Sequence, residues 1–292
     1  MDGIYDKRNK LNDLTGKEWL KLTKSFWVSE KCKEDKFAFQ HPAPFLIKDI
    51  EKLISMFTKK DMIVLDPFNG VGTTLVASHN LGRRGIGIDL NQNYCKLAKK
   101  RLRDLDPNHI QKIIYGDSIK EVLKIKEKID YCVTSPPYHN ILRNNGQGLR
   151  ADKKDKRSGA RIGVEYYSDN KNDLGNQKTY DDFINLFGKI MMSVYEKLND
   201  GKYTSVIISD FTVNKKEKCV QGDIVAVMEK IGFEFSGTTV LLQDNKPLYP
   251  FGYPYAYKIN HQHQNIINFR KNKNTSLKYV QKRLMAKKPV YK

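Results

Sequence analysis

A strand, a glycine-rich turn and a helix in immediate succession restrict what this chain can fold into. Met62-Ile63-Val64-Leu65 is a short apolar run of strand character, and Leu75-Val76-Ala77 opens a helical stretch. Between them lies Asp66-Pro67-Phe68-Asn69-Gly70-Val71-Gly72-Thr73-Thr74. In open α/β sheets that order of elements builds a cofactor-binding corner at the carboxyl end of a strand. Glycines at 70 and 72 let the backbone approach a ligand that a Cβ would repel. The turn is not a phosphate-binding Walker loop, because no Gly-Lys-Ser/Thr follows, and it does not fit the dinucleotide Gly-x-Gly-x-x-Gly spacing. Taken alone it also reads as a plain strand–helix turn whose glycines serve packing.

Two further strand ends repeat the acid. Arg84-Gly85-Ile86-Gly87-Ile88-Asp89 reads as a second strand closing on a carboxylate that can accept ribose hydroxyls, and Ile113-Ile114-Tyr115-Gly116-Asp117 as a third whose acid can accept from an adenine amino group. A fourth apolar run, Ile129 to Val133, stops at Thr134-Ser135-Pro136-Pro137-Tyr138. Proline lacks an N–H, has a fixed φ and pushes its predecessor to an extended shape. A rigid strand end therefore offers the Ser135 hydroxyl and the Pro136 carbonyl as acceptors, with the Tyr138 ring beside them. Helices are expected over 46–57, 72–80, 91–105, 180–198 and 223–231, and further strands over 203–210, 233–242 and 265–269. Strands alternating with helices predict a mostly parallel sheet covered on both faces.

These motifs together resemble the S-adenosylmethionine-dependent amino-methyltransferases of DNA, which act on cytosine N4 or adenine N6. Asp66-Pro67-Phe68 with Gly70 and Gly72 resembles the family's cofactor motif, and Thr134 to Tyr138 its catalytic motif. The segment Phe39-Gln40-His41-Pro42-Ala43-Pro44-Phe45 resembles the part that folds over the methionine end of the cofactor. The resemblance runs from about residue 15 to about residue 270. It implies a Rossmann-like class I methyltransferase, a seven-stranded sheet with one late antiparallel strand, which agrees with the seven strands read above. It implies S-adenosyl-L-methionine as cofactor, held by His41, Pro42, Asp66, Pro67, Phe68, Gly70, Gly72, Thr73, Thr74, Asp89, Asp117 and Ser118. It implies a base flipped out of duplex DNA, an amine held by Ser135 and the Pro136 carbonyl, a stacking face from Tyr138, and direct methyl transfer. Serine before Pro-Pro is the spelling more typical of cytosine N4 enzymes, with adenine N6 the runner-up and structured RNA next. A catalytically silent DNA-binding protein on the same scaffold is the non-enzyme alternative. A separately encoded restriction endonuclease is the partner that the resemblance adds, and little chain is left over to house a fused one.

Charge agrees with a nucleic-acid partner. Lys and Arg outnumber Asp and Glu by 52 to 33, a formal net charge of +19, which favours a polyanion. No acid occurs after Asp244. The expected organisation is an extension over 1–35, a cofactor half over 36–138, an insertion over 139–178, the rest of the catalytic domain over 179–271 and a basic tail over 272–292. The insertion carries Arg143, Arg150, Lys153, Lys154, Arg157 and Arg161 as phosphate contacts, and Asp173-Leu174-Gly175-Asn176 near its end is expected to order on substrate. A second target-recognition segment, 245–263, interleaves Tyr253, Tyr255 and other aromatics with Pro, Gly and Lys258, a pattern suited to stacking on bases. It could equally pack as a rigid loop on the last strand. Arg270 and Lys271 follow as further contacts. His261 and His263 have no neighbouring acid or cysteine in sequence and are expected to be polar loop residues, so no metal site is expected. Cys32, Cys95, Cys132 and Cys219 have no Cys-x-x-Cys spacing and, with no apolar signal region at the N-terminus, are expected to be free thiols of a cytoplasmic protein. Carbon methylation of cytosine needs a nucleophilic thiolate, usually in Pro-Cys, and no Pro-Cys occurs.

Overall fold

A computed structural model describes residues 3–40, 45–139, 167–214 and 216–272. His41, Pro42, Arg143, Arg150, Lys153, Lys154, Arg157, Arg161 and the tail beyond 272 lie outside the described residues.

The elements alternate as the sequence predicts. Helix α1 (Gly16–Leu22) and strand β1 (Phe26–Val28) precede a 3-10 segment (Lys33–Gln40) and α2 (Ile47–Phe57). Then come β2 (Ile63–Asp66), α3 (Thr73–Asn80), β3 (Arg84–Asp89), α4 (Gln92–Leu105), β4 (Lys112–Tyr115), α5 (Ser118–Lys124) and β5 (Ile129–Thr134). The second half holds a 3-10 turn (Leu174–Asn176), α6 (Tyr180–Lys197), β6 (Leu198–Ile208), the hairpin of β7 (Phe211–Val213) and β8 (Lys216–Lys218), α7 (Val220–Ile231), β9 (Phe233–Leu242) and β10 (His263–Lys271).

The main sheet runs β1-β9-β10-β6-β5-β2-β3-β4. From β2 the chain winds outward through β3 to β4, then returns to the other side of β2 as β5. That reversal is the switch point where open α/β sheets bind ligands. Strand β10 is antiparallel to both β6 and β9, and the pairs β2–β3, β3–β4, β2–β5 and β5–β6 are parallel. The sheet has eight strands rather than seven, because β1 joins its edge parallel to β9. Three residues were too short a run to mark as a strand. Trp27 turns into the core from β1, so the expected extension over 1–35 is built into the sheet.

Alternation along β5 explains how both faces are covered. Tyr131 and Val133 pack with Ile50, Leu53, Ile54 and Phe57 of α2 and Leu75 of α3 on one face. Cys132 packs with Phe183, Phe187, Met191 and Val194 of α6 on the other. Those α6 positions follow the helical period, so one long stripe covers the sheet from β5 to β10.

Candidate functional site

The three acids singled out in sequence share one local geometry. Each ends its strand by accepting, on Oδ1, the backbone N–H two residues ahead: Asp66 from Phe68 at 3.0 Å, Asp89 from Asn91 at 2.7 Å and Asp117 from Ile119 at 3.0 Å. A short carboxylate side chain mimics a backbone turn in this way. The strands therefore stop at a common level, and it is the second oxygen that distinguishes the three.

Asp66 faces inward. Its Oδ2 accepts from Thr74 Oγ1 at 2.6 Å, and its Oδ1 also accepts from Thr134 Oγ1 at 2.7 Å. It is almost completely buried, and burial pushes its carboxyl above the usual range. Asp66, Thr73 and Thr74, expected to bind the cofactor, do not line the cleft described below, and their side-chain oxygens have internal partners. Thr74 serves the buried acid, and the Thr73 hydroxyl accepts from Arg101 Nη1 at 2.9 Å. Thr134 likewise belongs to this internal tie and not to a reacting surface.

Asp89 faces a cleft. Its Oδ2 accepts from the Gly70 N–H at 2.7 Å, which locks the glycine-rich turn to the end of β3. Burial, aided by the charges of Asp66 and Asp173, raises its carboxyl to about 7. Gly72 stands at φ +82, where a Cβ would meet Ala98 Cβ of α4 at 3.0 Å, so the turn needs glycine there both for its backbone and for helix packing. The side chain of Asn69 lies over Gly87 where a Cβ would otherwise stand. Asp117 caps α5, and its Oδ2 accepts from Asn172 Nδ2 at 2.9 Å.

The cleft opens at the switch point between β2 and β5. Its space, counting solvent at the mouth, is about 620 Å³, within the range of small-molecule sites. Pro67 and Phe68 after β2, Asp89 and Leu90 after β3, and Asp117 and Ser118 after β4 line one side. Ser135, Pro136 and Pro137 after β5 line the other, and Tyr94, Tyr167, Asn172, Asp173, Leu174 and Ile190 close it. Ser118 is fixed by donating to the Pro67 carbonyl at 2.6 Å. Tyr94 is pushed up to about 12 by burial and by the carboxylates of Asp89 and Asp173.

Sequence reasoning missed Tyr94, Tyr167, Asn172 and Leu174 as site residues. The stretch from Tyr167 to Gln177 is tied together by its own side chains. The Asp173 carboxylate accepts from Gly175 N at 2.8 Å and Ser168 Oγ at 2.7 Å, and Asn91 Nδ2 donates to the Tyr167 carbonyl at 2.6 Å. The signal was the Asp-x-Gly turn at 173–175, read as a loop because no apolar period surrounds it.

Ser135 to Pro137 are held from both ends. Upstream, Thr134 is bonded to Asp66. Downstream, the Tyr138 oxygen accepts from Ser209 N at 3.1 Å and Gln264 Nε2 at 3.1 Å, and the ring meets Phe211 edge-on at 5.4 Å. Tyr138 is only 8% exposed and does not line the cleft. Its ring packs against Phe211 in the core and its oxygen ties the turn to Ser209 and Gln264, so the stacking face expected of it is not presented to the cleft. His139 continues the anchor, its Nε2 lying 3.1 Å from the Gln177 carbonyl.

The segment after β9 is organised for outward contact. Asn260 clamps its two arms through Tyr249, with bonds of 3.0 and 2.9 Å. Tyr253, Tyr255 and Tyr257 are 80%, 94% and 90% exposed, which excludes the reading of a loop packed on the last strand. Lys258 is exposed beside them. His261 Nε2 is 2.7 Å from Glu217 Oε1 of β8, an acid that sequence distance had hidden. Arg270 is exposed and donates to the Gly201 carbonyl at 3.1 Å. Lys271 is not available to DNA: it is buried, donates to the Leu198 carbonyl at 2.8 Å and pairs with Asp200 at 3.2 Å.

Cys132 is fully buried, and burial holds its thiol well above the usual range, so it cannot serve as the thiolate that carbon methylation requires. No helix among the described residues is long and apolar enough to cross a membrane.

The cleft's chemistry fits S-adenosylmethionine. A chain of net charge +19 gathers Asp89, Asp117 and Asp173 around one opening, which suits a sulfonium and an amino group rather than a phosphate. Asp89 retains lone pairs for a ribose diol, and Phe68, Leu90 and Ile190 supply apolar walls.

Comparison with known proteins agrees. Residues 2–100 and 129–292 match the family model of N6/N4 DNA methylases. The type II methyltransferase M2.DpnII of Streptococcus pneumoniae is 41% identical over 99 residues, 34% of this chain and 35% of that one. M.HinfI of Haemophilus influenzae is 29% identical over 143 residues, 37% of this chain and 40% of the relative. The matches thus span well under half of these relatives' lengths. The crystal structure of TrmN from Thermus thermophilus superposes with a TM-score of 0.51 at 12% identity, over 82% of this chain and 52% of that one, a likeness of fold. With its cofactor motif, its Ser-Pro-Pro turn and its sheet order in agreement, the chain belongs to the N6/N4 DNA methylase family.

Proposed function

We propose that this chain methylates an exocyclic amine of a base in DNA, with S-adenosyl-L-methionine as donor, and that the amine is N4 of cytosine. The observation that carries the reading is that Ser135, Pro136 and Pro137 share one cleft with Asp89, Asp117 and Asp173. An amine on one wall and an adenosyl cation on the other would meet there.

When bound, S-adenosylmethionine supplies an electrophilic methyl group. The chain's own residues supply position. An exocyclic amine is conjugated with its ring and is a poor nucleophile. The Ser135 hydroxyl and the Pro136 carbonyl accept its two N–H bonds and aim its lone pair into the cleft. No covalent enzyme intermediate is required, and catalysis comes from orientation and electrostatics. Asp89 accepts the ribose hydroxyls. The walls of Phe68, Leu90 and Leu174 exclude water from the reacting atoms.

The target atom cannot be reached inside a duplex, so the base must leave the stack. The exposed Tyr253 and Tyr255, with Lys258, form the face that meets the DNA, and the basic residues of 143–161 add phosphate contacts; Arg270, expected beside them, pairs with Tyr203 at the opposite end of the strands from Ser135 and is not part of that face. The family match supports DNA as the substrate, and we propose that it is duplex DNA and that a separately encoded restriction endonuclease is the partner. Cytosine N4 rests on serine at 135.

Incubation with methyl-labelled S-adenosylmethionine and unmethylated DNA, followed by digestion to nucleosides, tests this reading. Label in N4-methylcytosine is expected. Label in N6-methyladenine keeps the site and changes the base. Bound cofactor with no label in DNA overturns the reading.

A further inference from the structure

Ser135 to Pro137 depend on a buried anchor at each end, and the two anchors differ in what lies behind them. Behind Thr134 is Asp66, closed on all sides by Thr74 and the Phe68 N–H. Behind Tyr138 is a chain of neutral amides that leads away from the cleft. Gln264 Nε2, at the start of β10, donates to the Tyr138 oxygen at 3.1 Å. Gln243 Nε2, just past the end of β9, donates to Gln264 Oε1 at 3.2 Å. Gln243 Oε1 is buried with no hydrogen-bond partner among the described residues, so the chain has one open end.

That end stands at the root of the exposed aromatic segment. The backbone N–H of Gln243 donates to the Gln262 carbonyl at 2.7 Å, and Gln262 Nε2 donates to the Lys246 carbonyl at 2.8 Å. These bonds close the segment carrying Tyr253, Tyr255 and Tyr257 at its neck. Exchanging the N and O ends of both amides makes the phenol the donor and leaves the connectivity unchanged. Ser209 completes the junction: its N–H donates to the Tyr138 oxygen, and its hydroxyl donates to the His263 carbonyl at 2.7 Å. Tyr138 is thus gripped by the end of β6 and the start of β10, the strand into which the loop runs.

We propose that Gln264, with Gln243 behind it, is a positioning residue that fixes Tyr138 and joins the neck of the aromatic segment to the Ser135–Pro137 turn. The inference rests on the methyl-transfer reading above. A contact that shifts the neck is passed through two amides to the phenol that holds the turn. A buried apolar side chain at 264 would keep the strand but leave the phenol one partner short. Gln264→Met preserves length and volume and removes only the polar end.

The test is a double-mutant cycle on the full chain. Gln264→Met is expected to lower the single-turnover transfer rate roughly tenfold, the equivalent of one neutral hydrogen bond. Cofactor affinity should stay unchanged, while the unfolding midpoint should fall, because the phenol and the Gln243 amide N–H each lose a partner. In a Tyr138→Phe background the same substitution should cost little more, because the phenol oxygen is already gone. An unchanged rate in Gln264→Met, or an equal loss in both backgrounds, overturns the proposal. Gln243→Met, one link further out, should give a smaller loss of the same kind, and it carries the test if Gln264→Met does not fold. A readout independent of turnover is the ring resonance of Tyr138 in tyrosine-labelled protein, assigned by its absence in Tyr138→Phe. It should move in Gln264→Met, and an unmoved resonance contradicts the link. A wild-type chain that binds the cofactor and transfers no methyl refutes the proposed function, whereas the resonance still decides the link.

Discussion

The two halves of the sheet finish their strands differently, and the difference separates the work of the site. On the β2–β3–β4 side each strand ends in an aspartate, or reaches one two residues later, that folds the backbone over within two residues. The turns are short and rigid, and their second oxygens either lock the core or face the cleft. On the β6–β10–β9 side the strands run into a hairpin and a long segment held by side-chain amides, with tyrosines projecting outward. Carboxylates grip a small cation best when desolvated and fixed. A polymer needs broad, adaptable contact, which neutral amides and exposed rings provide. β5 lies between the halves, and its Ser-Pro-Pro turn is anchored to both.

The largest expected break in this contrast comes from the rigid side. Asp66→Ala strips partners from two buried hydroxyls and one N–H. It should cost about 2–4 kcal/mol of stability in chemical denaturation. A loss as small as that of an exposed acid would show that Asp66 is not the tie between the cofactor turn and the catalytic turn.

The adaptable side should respond in binding instead. Tyr253→Ala and Tyr255→Ala should each weaken DNA affinity by about 1–3 kcal/mol if the ring stacks on a base. Cofactor affinity, measured by titration calorimetry, should not move. A change in cofactor binding would place the aromatic segment over the wrong half of the site.

The smallest effect sharpens the cofactor half through pH. Asp89 stands near 7, well above its ordinary value, because burial disfavours its charge. Hydroxyl donors from a ribose favour the ionised form, so cofactor affinity should rise with pH up to about 7 and then level off. Below that point the loss approaches about tenfold per pH unit. Asp89→Asn should flatten the profile. The linkage to folding has the opposite sign: the native state holds this proton more tightly than the unfolded chain, so Asp89's contribution to the stability of the unliganded protein declines as pH rises from about 4 to about 7. A flat profile in the wild type would remove Asp89 from the ligand.

The same contrast explains what was legible in the sequence. Helices with strong apolar periods, such as α2, α4 and α6, fall within a residue or so of their expected bounds. β9 matches its expected span, 233–242. The acid-ended strands were legible because one local turn chemistry recurs three times. What the sequence could not give was which way each acid faces: Asp66 and Asp89 look alike until the fold buries one and opens the other. Strand β1, helix α5 and the β7–β8 hairpin were missed because three to seven residues carry too little period. Arg101, Asn172 and Gln264 were invisible for another reason. Each acts through a partner between 28 and 126 positions away, and only the folded chain brings such pairs together. Lys271 shows the converse error, since a basic run marks charge but not whether the cation is already bonded inside.

The central claim is that the amine is held by the turn after β5 while the cofactor is held by the acids of the other strand ends. Ser135→Ala tests it most directly, with the single-turnover transfer rate and the cofactor dissociation constant measured on the same preparation. The account predicts a rate loss on the order of a hundredfold, as for removal of one group that acts on the transition state, and nearly unchanged cofactor affinity. Equal losses in both would contradict it.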